Sequence, residues 1–187
     1  MYYYDVREGL DPPLSCNMID NGGVSCMNVP VRKSPRILGY DYSTENYYFV
    51  TICANEKKCI FGEPGNLNIW GKIAEADLIN IPNHFPAIRI EKAVVMPNHV
   101  HAIVVIGCQN EKSTLPNLNV VIGQYKAGVT RKVRSMEPGV KVWQRSYHDH
   151  VIRNRSGYEK IWSYIDTNPQ RWSEDCFFVG KHSRGGS

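Results

Sequence analysis

Two histidines one residue apart, His99 and His101, stand in "MPNHVHAIVVI" (96–106) at the mouth of an apolar run. In an extended strand, side chains at i and i+2 share a face, so both imidazoles project one way and Val100 the other. One face then offers two nitrogen donors, and the other belongs to a core. A strand would present two ligands to a metal ion in this way. Two strand-face histidines satisfied by backbone or solvent would show the same pattern.

A hard divalent cation such as Mg²⁺ or Mn²⁺ wants further oxygen ligands and keeps positions open for a substrate phosphate. The last helical stretch, "GYEKIWSYIDTNPQRW" (157–172), offers them. At helical spacing Tyr158, Ile161, Trp162 and Ile165 form an apolar stripe. Tyr164 and Asn168, four apart, stack together about 70° to 110° from the stripe's centre. Tyr164 therefore sits at the edge of the buried face, where its hydroxyl can reach a cleft, and Asn168 offers a carbonyl oxygen one turn later. The competing Tyr125 falls inside the stripe of Leu118, Val121, Ile122, Val129 and Val133 and reads as core. A phenol beside a metal can attack a phosphodiester and keep the phosphoryl group as a covalent ester, while the metal stabilises charge on the phosphate oxygens.

These residues need elements to hold them. "YYFVTICA" (47–54) is β-branched and aromatic, as in a buried strand, and "AIRIEKAVVM" (87–96) reads as another. Pro97-Asn98 is turn chemistry, so 99–106 forms a hairpin with 87–96. Helical spacing predicts helices over 69–81, ending before Pro82, over 118–134, and over 156–168, ending before Pro169. "VWQRSYHDHVIR" (142–153) supplies a fourth strand or extended segment. The order is β-α-β-β-α-β plus a helix. That is a ferredoxin-like α+β fold, an antiparallel sheet with helices on one face and a C-terminal helix carrying the tyrosine. Residues 1–30 mix Gly, Pro, Asn and Asp without periodicity and are expected to form a mobile arm. The domain then runs over 31–178, with a flexible tail at 179–187.

Residues 126–187 carry 12 Lys+Arg against 6 Asp+Glu, whereas the first 125 carry 10 against 12. A basic C-terminal third with tryptophans suits phosphate neutralisation and base stacking, and suits an ordinary solvated surface equally well. Arg131, Lys132, Arg134, Arg145, Arg153 and Arg171 are candidate phosphate contacts, and Trp143 and Trp172 candidate stacking platforms, with a core role fitting Trp143 at least as well. No apolar run reaches 18 residues, which argues against a membrane span. The six cysteines, at 16, 26, 53, 59, 108 and 176, contain no CxxC pair. We expect a cytoplasmic protein with reduced thiols.

Taken together, "VVMPNHVHAIVVI" and "VWQRSYHDHVIRNRSGYEKIWSYIDTNPQRW" resemble the single-tyrosine HUH transposases, in particular the REP-associated tyrosine transposases of bacteria. "RKSPRILGYDYSTENYYFVTICANEKKCIFG" resembles the start of that family's domain, so the likeness covers about 31–178. The resemblance implies that His99 and His101 are metal ligands for Mg²⁺ or Mn²⁺ and that Tyr164, in "YIDTNP", is the nucleophile. It also implies that Asn168 completes the metal site. The implied activity is cleavage and rejoining of single-stranded DNA beside a hairpin such as a repetitive extragenic palindrome, through a 5′-phosphotyrosine. The protein would be a monomer or a homodimer. A catalytically silent hairpin-binding protein of the same fold is the alternative. In the second His-x-His, His148-Asp149-His150, His150 matches a histidine that follows "WQR" in the family, and it is expected near bound DNA or in a structural hydrogen bond.

Overall fold

The computed structural model describes residues 37, 39–107 and 115–178. The expected arm and tail lie outside them. Among the described residues the first strand is β1 (Asn46–Cys53), followed by a short hairpin of β2 (Gly62–Glu63) and β3 (Asn66–Leu67). Helix α1 (Ile69–Ile79) and the single turn α2 (Ile81–His84) lead to the long hairpin of β4 (Ile88–Met96) and β5 (His99–Ile106). Helix α3 (Leu118–Met136), strand β6 (His148–Ile152) and helix α4 (Arg155–Thr167) complete the order. The four long strands form one sheet in the order β4-β5-β1-β6, every pair antiparallel. This is the expected ferredoxin-like arrangement.

Each long helix starts on an asparagine whose side chain accepts an orphan backbone N–H. Asn68 takes Trp70 N and Gly71 N at 3.0 Å each, Asn117 takes Asn119 N at 2.9 Å, and Asn154 takes Gly157 N at 2.8 Å. Such caps are worth about 1 kcal/mol apiece.

The pleat divides the sheet's side chains between two cores. Tyr48, Val50 and Ile52 of β1, with Val100, Ala102, Val104 and Ile106 of β5, face α1 and α3. On the other face Phe49, Ile103, Val105 and Ile152 meet Ile161 and Ile165 of α4. Helices α1 and α3 thus share one face, and α4 lies on the other, over β4 and β5. Burying Ile161 and Ile165 contributes about 1.5–3 kcal/mol each, enough to fix the helix and the side chains beside them.

One sequence expectation needs correction. Pro82 does not simply follow a helix ending at 81: α1 stops at Ile79, and Pro82 lies in the first turn of α2, where its missing N–H costs nothing. The segment 142–153 supplies the expected fourth strand at its C-terminal end. Only His148–Ile152 joins the ladder, while Trp143 makes an isolated bridge to Ala54. The indole of Trp143 turns inward against Phe61 and Tyr125 and donates to Lys126 O, which pulls this stretch out of the β6 register. As expected, Tyr125 is core: it is buried, and its hydroxyl donates to Ala74 O.

Candidate active site

The site lies where β5 begins, on the face covered by α4. The β1–β5 register sets Cys53 opposite His99, Thr51 opposite His101 and Phe49 opposite Ile103, so the two histidines lead a row that ends in apolar packing. Both are essentially inaccessible, and their ring centroids stand 4.3 Å apart.

Each ring is held through Nδ1. His99 Nδ1 lies 2.8 Å from Asn98 Oδ1, and His101 Nδ1 lies 2.9 Å from Thr51 Oγ1. The amide of Asn98 cannot be turned round, because its Nδ2 already donates to Lys57 O at 3.1 Å and Phe177 O at 2.8 Å. An amide oxygen only accepts, so His99 must carry its proton on Nδ1 and leave Nε2 as a bare lone pair. That Nε2 is buried without a hydrogen-bond partner. Burial also keeps both rings neutral. It pushes the His99 pKa down to about 4 against the opposing pull of the Asp175 charge, and it holds His101 well below the usual histidine range, with His99 adding to the effect.

Helix α4 brings Tyr164 to the edge of its buried face, as its spacing predicts. The phenol oxygen stands 3.3 Å from His101 Nε2 and donates to Asp175 Oδ2 at 3.1 Å. One turn on, Asn168 is buried, its Nδ2 donating to the same Asp175 oxygen while its Oδ1 has no partner. Asp175 follows the short 3-10 turn Trp172–Glu174 and is fixed through its other oxygen by Phe177 N at 2.7 Å.

One donor atom each from His99, His101 and Asp175 lies within 4.8 Å of the others. A cation fits this set on a specific observation. Among the described residues, the two buried side-chain polar atoms that lack partners, His99 Nε2 and Asn168 Oδ1, are both acceptors beside a carboxylate. An unpaired buried acceptor is costly, and a cation would satisfy both lone pairs at once.

Sequence reasoning named His99, His101, Tyr164 and Asn168, and the structure brings all four together. It missed Asp175, Asn98 and Thr51. Asn98 read as a turn residue. Asp175, in "WSEDCFF", has no spacing relation to any other site residue, and only its place among aromatics hinted at burial.

The basic candidates scatter. Arg131, Arg134 and Arg145 line one groove on α3's outer side. Lys132 pairs with Asp77, and Arg171 with Glu174 at 2.8 Å. Arg153 is exposed. Among the other histidines, His148 pairs in register with Thr51, so that His101, Thr51 and His148 form one row across three strands. His150 stands opposite Phe49, half-buried on that same face. Trp172, half-buried, packs its ring 5.9 Å from His99.

Among the described residues, no helix is long and apolar enough to cross a membrane. No protein-family model matches the chain. An uncharacterized protein of Haemophilus influenzae is 36% identical over 168 residues, spanning 79% of this chain and 93% of that one. Among solved structures, a REP-associated tyrosine transposase bound to a REP hairpin aligns with a TM-score of 0.56 and 20% identity, over 74% of each chain. This chain belongs to one family with the Haemophilus influenzae protein, and its fold is that of a REP-associated tyrosine transposase.

Proposed function

We propose that this chain cleaves and rejoins single-stranded DNA beside hairpins, with Tyr164 as nucleophile. Mg²⁺ or Mn²⁺ would be held by His99, His101 and Asp175, with Asn168 Oδ1 as a fourth donor. The observation that carries the reading is the convergence of a tyrosine hydroxyl, two neutral imidazoles, a carboxylate and an amide oxygen, with His99 Nε2 and Asn168 Oδ1 left without partners. The solved relative's REP hairpin supports hairpin DNA as the partner.

The chain's own residues supply most of the chemistry. Thr51 and Asn98 hold the imidazoles with Nε2 facing the site. The Tyr164 proton is already directed at Asp175 Oδ2, which takes it as the phenol oxygen attacks phosphorus. The new bond joins Tyr164 Oη to phosphorus and the P–O3′ bond breaks. The phosphoryl group stays on the tyrosine as a 5′-phosphotyrosine, and the departing 3′ oxygen takes a proton from solvent. A DNA 3′-hydroxyl reverses these steps without a nucleotide cofactor, because the ester keeps the energy of the broken bond. The metal, when bound, polarises the scissile phosphate. His148 and His150 of β6 lie on this same face of the sheet, where DNA entering the site would meet them.

The test is covalent trapping. Hairpin oligonucleotides labelled 3′ of the cleavage point are incubated with protein and Mn²⁺ and run on a denaturing protein gel. A metal-dependent protein–DNA band that disappears in Tyr164→Phe is expected, with DNA binding retained by the variant. Binding without any adduct in the native protein would instead make this a silent hairpin-binding protein. An adduct that persists in Tyr164→Phe would end the nucleophile assignment.

A further inference from the structure

Just after β1 the chain reverses over residues 55–58, with Glu56 and Lys57 both in the left-handed region, at φ 56° and 53°. Lys58 N closes the turn on Asn55 O at 3.2 Å. Positive φ at both central positions of a turn favours asparagine and glycine. This chain places a glutamate and a lysine there, and among the described residues no other non-glycine residue has a positive φ. Backbone strain of this kind persists where the surrounding structure enforces it, and it gathers at working sites. We propose that the turn serves to bring Lys57 to the Tyr164 site, where its ammonium pairs with the phosphoryl group that the tyrosine accepts. The inference deepens the DNA reading above and rests on it.

The turn is built into the site. Asn98, which fixes the His99 imidazole, also donates from Nδ2 to Lys57 O at 3.1 Å, so one amide holds both residues. Ala54 N donates to Asn98 O at 2.8 Å, and Lys57 N to Ala54 O at 3.0 Å. From this anchored backbone the side chain reaches the segment that carries Asp175, placing Nζ 5.2 Å from the centroid of the Phe177 ring. That ring in turn stands 4.6 Å from His99 and 5.9 Å from His101, centroid to centroid. The charge is felt inside. Burial sets the direction of the pKa at both His99 and Cys53, and at each the Asp175 charge pulls it up while the Lys57 charge pulls it down. Lys57 and Asp175 therefore flank the same two side chains.

The ammonium is also uncommitted. Glu56 pairs with Lys58 at 2.7 Å, whereas Lys57 makes no ion pair or side-chain hydrogen bond among the described residues. An aromatic face attracts an ammonium without cancelling its charge, and at an exposed position such as this the attraction is weak. A phosphate oxygen offers a charge-assisted hydrogen bond, roughly twice as strong as a neutral one. Lys57 can exchange the ring for the phosphate by rotating its flexible four-carbon stem, with the strained backbone staying where Asn98 holds it.

The other groups around Tyr164 leave this part open. Burial keeps His99 and His101 neutral, and Asp175 repels an anion. Of the residues named at the site, Lys57 alone brings positive charge. Its part is to neutralise: it keeps its proton throughout, and the bonds made and broken are those of the transfer already described. Negative charge shifts among the phosphate oxygens as the phenol attacks, and a cation held beside them favours the transition state.

The test compares Lys57→Gln, Lys57→Arg and Lys72→Gln, the last removing one charge from an exposed position of α1. Glutamine and arginine must adopt the same left-handed backbone as lysine, so charge is varied without changing the strain. Two quantities are read. One is the single-turnover rate of adduct formation at saturating hairpin oligonucleotide and Mn²⁺. The other is the affinity for inorganic phosphate, titrated calorimetrically into the protein in excess Mg²⁺. Lys57→Gln should slow the adduct about 100-fold, as loss of one transition-state donor does, and weaken phosphate binding about tenfold, with Tm unchanged. Lys57→Arg should recover most of both losses, and Lys72→Gln should show neither. A native rate in Lys57→Gln would overturn the proposal. So would an arginine variant as slow as the glutamine one, which would make the role one of shape. A defect confined to DNA affinity and absent at saturation would overturn it too, placing Lys57 on a flanking phosphate. If native protein forms no adduct while its phosphate affinity still follows the charge at position 57, the strand-transfer reading falls and the phosphate site stands. No adduct together with phosphate affinity indifferent to Lys57 would sink both.

Discussion

Asn98→Ala is the most informative single change, because Asn98 spends all of its side chain on the site. The native amide is fully buried, accepts from His99 Nδ1 and donates to Lys57 O and Phe177 O. Alanine removes three hydrogen bonds at about 1 kcal/mol each, or about 3 kcal/mol in all, a large share of the 5–15 kcal/mol typical of a domain. Two consequences are distinct. The carbonyl of Phe177 is released, loosening the segment that carries Asp175. The His99 tautomer is also no longer dictated, and Mn²⁺ affinity by isothermal titration should fall about 10- to 100-fold, the usual cost of losing a group that orients a metal-binding histidine. Asn98→Asp separates the two effects. It keeps an acceptor for His99 Nδ1–H and loses both donors, so it should be destabilised yet retain metal affinity. An alanine variant that binds Mn²⁺ within twofold of the native protein, despite a lowered Tm, would refute the reasoning that Asn98 sets the lone pair on Nε2.

Two further perturbations test the surroundings. The metal-free protein should lose stability on acidification. His99 titrates at about 4 in the fold and at 6.5 when unfolded, so between these values the unfolded chain binds more protons, and stability falls as pH falls through that window. The drop is worth about 3 kcal/mol for His99, read as a falling urea midpoint from pH 7 to pH 4, and a midpoint that does not move would contradict burial of a neutral ring. Gly71→Ala, in α1, should destabilise by about 1–3 kcal/mol although alanine favours helices, because its Cβ would press on the Phe61 carbonyl that accepts Asn68 N. A raised Tm would show that this helix can shift away.

What could be read from the sequence was whatever repeats along one element. The alternation of "HVHAIVVI" sent His99 and His101 to one face and Val100, Ala102, Val104 and Ile106 to the other, as the two cores confirm. The 3.6-residue spacing of α4 distinguished Tyr164 at a helix edge from Tyr125 in a core. What escaped was set by contacts between distant segments. The partners of Trp143, Phe61 and Tyr125, come from distant stretches that no local pattern joins. Asp175 reaches the histidines only because a short turn folds back over α4's end. Asn98 follows a proline in a tight hairpin, where a turn role explains the residue type so well that nothing in the sequence asks for a second one.

The polar content of the site also bears on why it exists. Thr51, Asn98, His99, His101, Asn168 and Asp175 are all buried, and a fold selected for stability alone would do better with apolar side chains there. Nearly every polar atom among them is nevertheless bonded. Asp175 gathers Tyr164 Oη, Asn168 Nδ2 and Phe177 N, and each imidazole Nδ1 has its oxygen. The two exceptions share one sign, since His99 Nε2 and Asn168 Oδ1 both present lone pairs. Random packing defects would leave donors as readily as acceptors. A structural polar cluster would close on itself, as the Tyr42 hydroxyl does on Asp149. Donors collected on one carboxylate, with bare acceptors beside it, describe a cluster short of a single cation, and the hydroxyl nearest to that deficit belongs to Tyr164.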